Sequence, residues 1–258
     1  MMNTKRHNIK HSAFLKEGIS ILMYHQVGDF SPMKTHRASY CHYRRFSAQM
    51  KLLSLLGYHV MDFETAIKAI EEKTEIPPLS VVLTFDDGCR NFYEYAYPVL
   101  KKFRFPAIVY VVSGLIGKKA EWFSREDRHA PALMSEDILL ELRKNGIIFG
   151  AHGMSHVRLA ETETARQREE IFKSKAVLED ILGEEVRHFC YPYGSYDKAV
   201  LNLTKEAGYK TAVTCSRGTA YPGDDLLQLP RKAISYGDSL AGFLWKIHIK
   251  NKRKTPPL

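Results

Sequence analysis

The chain has 258 residues, 45% hydrophobic and 26% charged, which excludes a disordered or fibrous protein and leaves room for one large core. Net charge is +9, with Lys5, Arg6, Lys10 and Lys16 near the start and Lys246, Lys250, Lys252, Arg253 and Lys254 near the end. No nucleic-acid motif accompanies that charge, so nucleic acid is not expected as a partner, and basic ends of this kind suit solvated tails or peripheral contact with an anionic membrane.

Four widely spaced cysteines, Cys41, Cys89, Cys190 and Cys215, without a CxxC pair, fit reduced thiols. The chain shows neither an apolar leader nor a run of about 18 apolar residues, and the expected compartment is the cytoplasm. Three segments are expected: a basic tail over 1–18, one domain over 19–249, and a second basic tail over 250–258.

The first expected strand is Ile19 to His25, broken by Gly28, Asp29, Ser31 and Pro32. Met50, Leu53 and Leu56 recur at helical spacing over Phe46 to Leu56, and Asp62 caps a second helix through Ala66, Ile67 and Ile70. A β-branched run at Val81 predicts a buried strand ending in Asp86, Asp87 and Gly88. Asn91 to Phe103 predicts a helix disturbed by Pro98. Ala107 to Val112 is strand, Gly114 to Pro131 a long loop with an exposed-looking Trp122-Phe123 that suits either stacking on sugar rings or packing, and Ser135 the cap of a short helix. Ile147 to Ala151 is strand, closing on His152. The longest helix is Glu161 to Leu182, with Ile171, Ser174, Val177, Leu178, Ile181 and Leu182 inward and Gly183 after it. Arg187 to Tyr191 is strand, Asp197 to Ala207 helix, Tyr209 to Cys215 and Leu227 to Ile234 strands, and Ser239 to Ile249 a terminal helix. Strand and helix alternate about seven times, which argues an α/β fold, a parallel sheet wrapped by helices and closed as one domain.

The chemically distinctive residues fall just after strands: His25, then Asp86-Asp87, then His152 and His156, then Tyr191-Pro192-Tyr193-Gly194. In parallel α/β barrels such positions converge on one rim. Adjacent carboxylates leaving a strand point to opposite faces, so one can serve as metal ligand and the other as general base. An Asp-Gly turn after a strand is the plain alternative. His152 and His156 can reach one metal, although His7 and His11 share that spacing without evident function. Two histidines and a carboxylate make a three-ligand site with open positions, the pattern of catalytic zinc.

Thr84 to Gly88, His152 to His156, and Phe189 to Gly194, in this order, resemble the three leading motifs of the polysaccharide deacetylases, carbohydrate esterase family 4. The resemblance covers about Ile19 to Leu244. It implies a distorted (β/α)7 barrel and hydrolysis of N- or O-acetyl groups on a carbohydrate, with a divalent metal, zinc first and cobalt, nickel or manganese as other occupants. The implied metal ligands are Asp87, His152 and His156. Asp86 matches the general base, and Tyr193 the position whose backbone N–H binds the oxyanion. Many members carry a late histidine as general acid. Here the late histidine is His248, on the terminal helix and read as a surface residue. Leu22 to Val27 resembles the N-terminal motif of the branch that includes poly-N-acetylglucosamine deacetylases, which implies His25 as the acid.

Cys190 stands where that family carries an arginine that orients the base. Arg231, in Leu229-Pro230-Arg231, is the expected substitute, against the plainer reading of a surface arginine with a carboxylate partner. Gly153 replaces a usual Ser or Thr between the histidines. Cys89 and Cys190 are expected as small buried residues. The expected substrate is an acetylated glycan or glycan precursor. A non-catalytic glycan-binding relative, and an amidohydrolase of the same fold acting on a non-sugar amide, are the other functions compatible with these residues.

Overall fold

The computed structural model describes residues 18–124 and 129–254. The N-terminal basic segment before Gly18, with His7 and His11, and residues 255–258 lie outside the described residues. Seven parallel strands form the frame: β1 (Ser20–Tyr24), β2 (Ser80–Phe85), β3 (Ile108–Val111), β4 (Ile148–Ala151), β5 (His188–Cys190), β6 (Thr211–Arg217) and β7 (Leu229–Ala233). Each pairs with its sequence neighbour, and β1 closes the ring by pairing with both β7 and β2. The short pair His59–Val60 adds to the lower half of β2, outside the ring. The fold is the expected single-domain (β/α)7 barrel. Its distortion includes an irregularity between β6 and β7, where the register shifts between Leu229 and Arg231.

The strands read as continuous apolar runs, yet they obey a period of two. On β1, Ile21 joins the cluster inside the barrel, while Leu22 and Tyr24 join the layer between sheet and helices. On β2, Val82 faces in and Val81, Leu83 and Phe85 face the helices. Burial on both sides selects apolar residues at every position, as in other parallel sheets.

The helices are α1 (Tyr43–Leu55), α2 (Phe63–Glu71), α3 (Tyr97–Phe103), α4 (Glu136–Lys144), α5 (Thr164–Leu182), α6 (Lys198–Glu206) and α7 (Leu240–Ile249). Asp62, Asp197 and Ser239 cap α2, α6 and α7 by accepting from the N–H groups of Thr65, Val200 and Gly242. Pro98 sits in the first turn of α3, which follows a wider π-turn over Phe92–Ala96, so the expected disturbance is a change of helix type. Phe63, Ala66, Ile67 and Ile70 of α2 pack on the interior cluster.

Of the two readings of Trp122 and Phe123 the structure shows packing, without the expected exposure. They belong to a short helix, Glu121–Ser124, and Trp122 is only 4% exposed. They pack with Tyr40, Cys89, Val112, Ala120 and Leu133, because a loop over the barrel mouth must bury apolar groups of its own to hold a shape. Of the C-terminal segment, Lys254 exchanges two backbone hydrogen bonds with Arg217, both 2.8 Å. Asn251 Oδ1 accepts from Lys232 Nζ at 2.7 Å and Thr219 Oγ1 at 2.8 Å. No helix among the described residues is long and apolar enough to cross a membrane.

Candidate active site

At the carboxyl ends of the strands His25, Asp86, Asp87, His152, His156 and Tyr193 line one small cleft of about 90 Å³, with Ser39, Trp122, Phe123, Tyr191 and Cys215. Asp86 continues the inward phase of β2 and its N–H donates to the Tyr24 carbonyl at 2.9 Å. Simple alternation would send Asp87 outward. Instead Asp87 adopts the left-handed conformation, φ 77°, which turns its carboxylate back over the rim. His156 (φ 56°) and Tyr193 (φ 58°) share that uncommon backbone. Three non-glycine residues in a sparsely populated region at one cleft are strain held by the surrounding structure.

The Asp87 Oδ1 atom lies 3.6 Å from His152 Nε2 and 3.3 Å from His156 Nε2. The three ligand atoms lie within 4.8 Å of one another. His152 Nδ1 is 2.7 Å from the Cys190 carbonyl, which can only accept, so Nδ1 carries the hydrogen and Nε2 offers a lone pair to the cleft. Burial, then the neighbouring His156, push the His152 pKa down to about 4, against the pull of Asp86 and Asp87, so the ring is neutral at neutral pH. Asp87 Oδ1 is buried without a hydrogen-bond partner, as is His156 Nδ1. A buried carboxylate oxygen with no donor, faced by two imidazole nitrogens, is the donor set a divalent cation fits. Asp86, His152 and Cys190 also lie within reach of one another, but Arg231 engages both Asp86 oxygens and the Cys190 sulfur, so that group is not a second cation site.

Arg231 is 1% exposed, and the surface reading of it does not hold. Nη1 and Nη2 donate to Asp86 Oδ1 and Oδ2, both at 2.7 Å, Nε donates to the Thr214 carbonyl at 3.0 Å, and Nη1 also reaches Thr84 Oγ1 at 3.1 Å. Nη2 lies 3.2 Å from Cys190 Sγ, which shows how a cysteine can stand at that position: a small side chain leaves room for a guanidinium arriving from β7. Burial raises the Asp86 pKa, but the charge and hydrogen bonds of Arg231 outweigh it and hold the carboxyl well below the usual range. Asp87 is likewise lowered: burial opposes, and the neighbouring His156 imidazole, with His25 and His152, prevails.

His25 Nε2 stands 3.9 Å from Asp86 Oδ2, partly open to solvent at the cleft wall. His248 is far from this rim, with Nε2 2.5 Å from Tyr58 Oη on the outside of the barrel. The Tyr193 ring packs on His156, centroids 4.5 Å apart, with the Arg158 guanidinium 4.3 Å from the Tyr193 centroid on the turn Pro192–Gly194. Trp122 stacks on His156 at 4.2 Å and 22°, so it clamps the histidine and is not an open platform for a sugar.

One residue of this site was not singled out from the sequence. Glu170, fully buried on α5, accepts from Met154 N at 2.7 Å, Ser155 N at 2.9 Å and Ser155 Oγ at 2.5 Å, and pairs with Arg166 at 2.7 Å. It holds the loop between the two histidines. A Cβ on Gly153, whose φ is 75°, would sit 3.1 Å from Glu170 Oε2. The glycine that departs from the usual Ser or Thr is thus accommodated by a carboxylate that binds the loop from below. The available signal was spacing: Glu170 falls in the inward set with Gln167, Ser174 and Leu178.

Residues 73–212 match the polysaccharide deacetylase family. YxkH of Bacillus subtilis (strain 168), a protein named for that family, is 26% identical over 225 residues, 87% of this chain and 74% of the relative. The poly-beta-1,6-N-acetyl-D-glucosamine N-deacetylase of Staphylococcus aureus (strain MSSA476) is 27% identical over 174 residues, 64% of this chain and 58% of that enzyme, so the match spans under two thirds of the enzyme's length. The structure of the Streptococcus pyogenes deacetylase PplD, solved in complex with acetate, superposes with a TM-score of 0.76 at 30% identity, covering 89% of this chain and 98% of that one.

Proposed function

Since the chain belongs to the polysaccharide deacetylase family, we propose that it hydrolyses acetyl groups, N-acetyl groups first, from a carbohydrate with the help of a divalent cation. The observation that carries this reading is the Asp86–Arg231 pair set beside the partnerless Asp87 oxygen and two imidazole nitrogens in one cleft.

Asp87, His152 and His156 are the residues that would hold the cation, zinc being the first expectation for two imidazoles and a carboxylate. Bound there, it would supply Lewis-acid chemistry, polarising the acyl oxygen and acidifying water. Asp86 takes the proton of the attacking water. Its low pKa keeps it unprotonated in the resting site, and each oxygen retains a lone pair besides the one Arg231 engages. Arg231 fixes the orientation of that carboxylate. The Tyr193 backbone N–H steadies the oxyanion as the carbonyl becomes tetrahedral. His25, 3.9 Å from Asp86, delivers a proton to the leaving nitrogen, a role the distant His248 cannot fill.

The relative named for poly-beta-1,6-N-acetyl-D-glucosamine puts that polymer first in a substrate panel, beside acetylated chitooligosaccharides. With zinc or cobalt the purified protein is expected to release acetate from at least one of them, and Asp86→Asn to abolish release. No acetate across the panel overturns the reading.

A further inference from the structure

The large apolar side chains that stay exposed among the described residues are Leu55, Leu56, Leu240, Trp245 and Ile249. All five lie on or just after α1 or on α7, two helices in contact on the outside of the barrel. Leu55 is 71% exposed, Ile249 60% and Trp245 51%. Tyr58 and His248 join the carboxyl end of α1 to that of α7, which brings Leu55 and Leu56 to the end of α7 that carries Ile249. Ala241, Trp245 and Ile249 recur every four residues, so they form one outward stripe. Isolated exposed leucines need no explanation, but a tryptophan-bearing set gathered on two adjoining helices does.

The unpaired charge on its own segments has one sign. Residues 30–61 contain no Asp or Glu, and none occurs after Asp238. Lys51 lies on α1, and Lys250, Lys252, Arg253 and Lys254 follow α7. Lys250 Nζ sits 4.7 Å from the Trp245 ring, a cation held beside the apolar stripe. Lys246 is neutralised by Asp238 and Arg253 by Asp224, while among the described residues no carboxylate lies within ion-pair distance of Lys250 or Lys252.

Apolar side chains with a tryptophan, beside lysines and with the one adjoining carboxylate, Asp238, taken up by Lys246, match the boundary between acyl chains and anionic headgroups. We propose that the surface formed by α7 and the carboxyl end of α1 docks on an anionic lipid bilayer. Helices here run antiparallel to the strands they follow, so the carboxyl ends of α1 and α7 lie at the opposite end of the barrel from the catalytic cleft. Docking through that flank does not cover the cleft.

The test is sedimentation of the full chain with vesicles of phosphatidylglycerol and phosphatidylcholine, and with pure phosphatidylcholine, at low salt. Binding to the anionic vesicles with a blue shift of Trp245 emission is expected. Trp245→Ser with Ile249→Ser should weaken binding about tenfold or more. Lys250→Gln and Lys252→Gln should each weaken it about fivefold. Unchanged thermal unfolding and unchanged acetate release from a soluble oligosaccharide would show that the variants fold. No binding, equal binding to neutral vesicles, binding indifferent to the Trp245 and Ile249 changes, or a native dimer that those changes dissociate would each overturn the proposal. Acetate release is read separately, so failure of lipid binding leaves the hydrolytic reading standing.

Discussion

Asp86 and Arg231 are buried together, and each leaves the other in trouble if removed. A guanidinium fork meets both carboxylate oxygens at 2.7 Å, and a lysine cannot reproduce that geometry. Arg231→Lys is therefore expected to lower kcat about 10–100-fold with little change in KM, if Asp86 is the base as proposed, since it disturbs the orientation of that carboxylate and not the binding of substrate. Arg231→Met strands a carboxylate in the barrel and should destabilise by about 3–5 kcal/mol, read as a shift in the urea midpoint. His152 makes a pH prediction. Its folded pKa, about 4, is below its ordinary value of 6.5, so between those pH values the unfolded chain holds a proton that the folded one excludes. Unfolded chain binding more protons means stability rises with pH across that window. Metal-free protein should lose stability as pH falls from about 6.5 to 4, at no more than about 1.4 kcal/mol per unit from this group. Urea titrations of the native protein and His152→Asn, with a shallower slope in the variant, check it.

The loop from His152 to His156 is the element on which the cleft depends. It is tied to β3 by the His152 N–H on the Val111 carbonyl, and to the following turn by Ser113 and Gly114 N–H groups on the Gly153 and Met154 carbonyls. From below it is held by Glu170, whose three accepted hydrogen bonds satisfy loop donors that would otherwise be buried unpaired. Glu170→Ala should weaken zinc affinity by about 10–100-fold in calorimetry, through the freedom given to His156, with Glu170→Gln recovering part of it. Equal affinity in all three proteins would remove Glu170 from the support of the site. The Trp122 ring, stacked on His156, closes the same loop from above.

At the scale of the molecule, the barrel brings residues 25, 86–87, 152, 156 and 193 onto one rim, with Arg231 buried beside Asp86, while the helices bury the other face of the strands. A cation bound only by the folded rim stabilises the whole barrel by mass action, about 4 kcal/mol at a thousandfold excess over Kd. Chelation should stop acetate release and lower Tm, by about 2–4 °C per kcal/mol for a chain of this size, and added zinc should restore both. A Tm indifferent to zinc would remove the cation from this cleft.

Alternation of apolar runs with helical periodicity was enough to expect about seven strands in a parallel sheet wrapped by helices, because a strand buried on both faces must be apolar throughout and a helix between such strands must be amphipathic; the seven-stranded barrel itself came from the family resemblance. The positions of His25, Asp86, Asp87, His152, His156 and Tyr193 just past strands were legible for the same reason. Other features depended on coordinates. Left-handed backbone at Asp87, His156 and Tyr193 has no signature in residue type. Arg231 was the expected substitute for the missing arginine, but its full burial and the reach of its guanidinium to Asp86, 145 residues away, depend on β7 being wound beside β1. Glu170 beneath the histidine loop, Trp122 above it and the shared apolar face of α1 and α7 are likewise contacts between segments remote in sequence. Local sequence sets which face of an element is buried; what that face meets is decided when the ring closes.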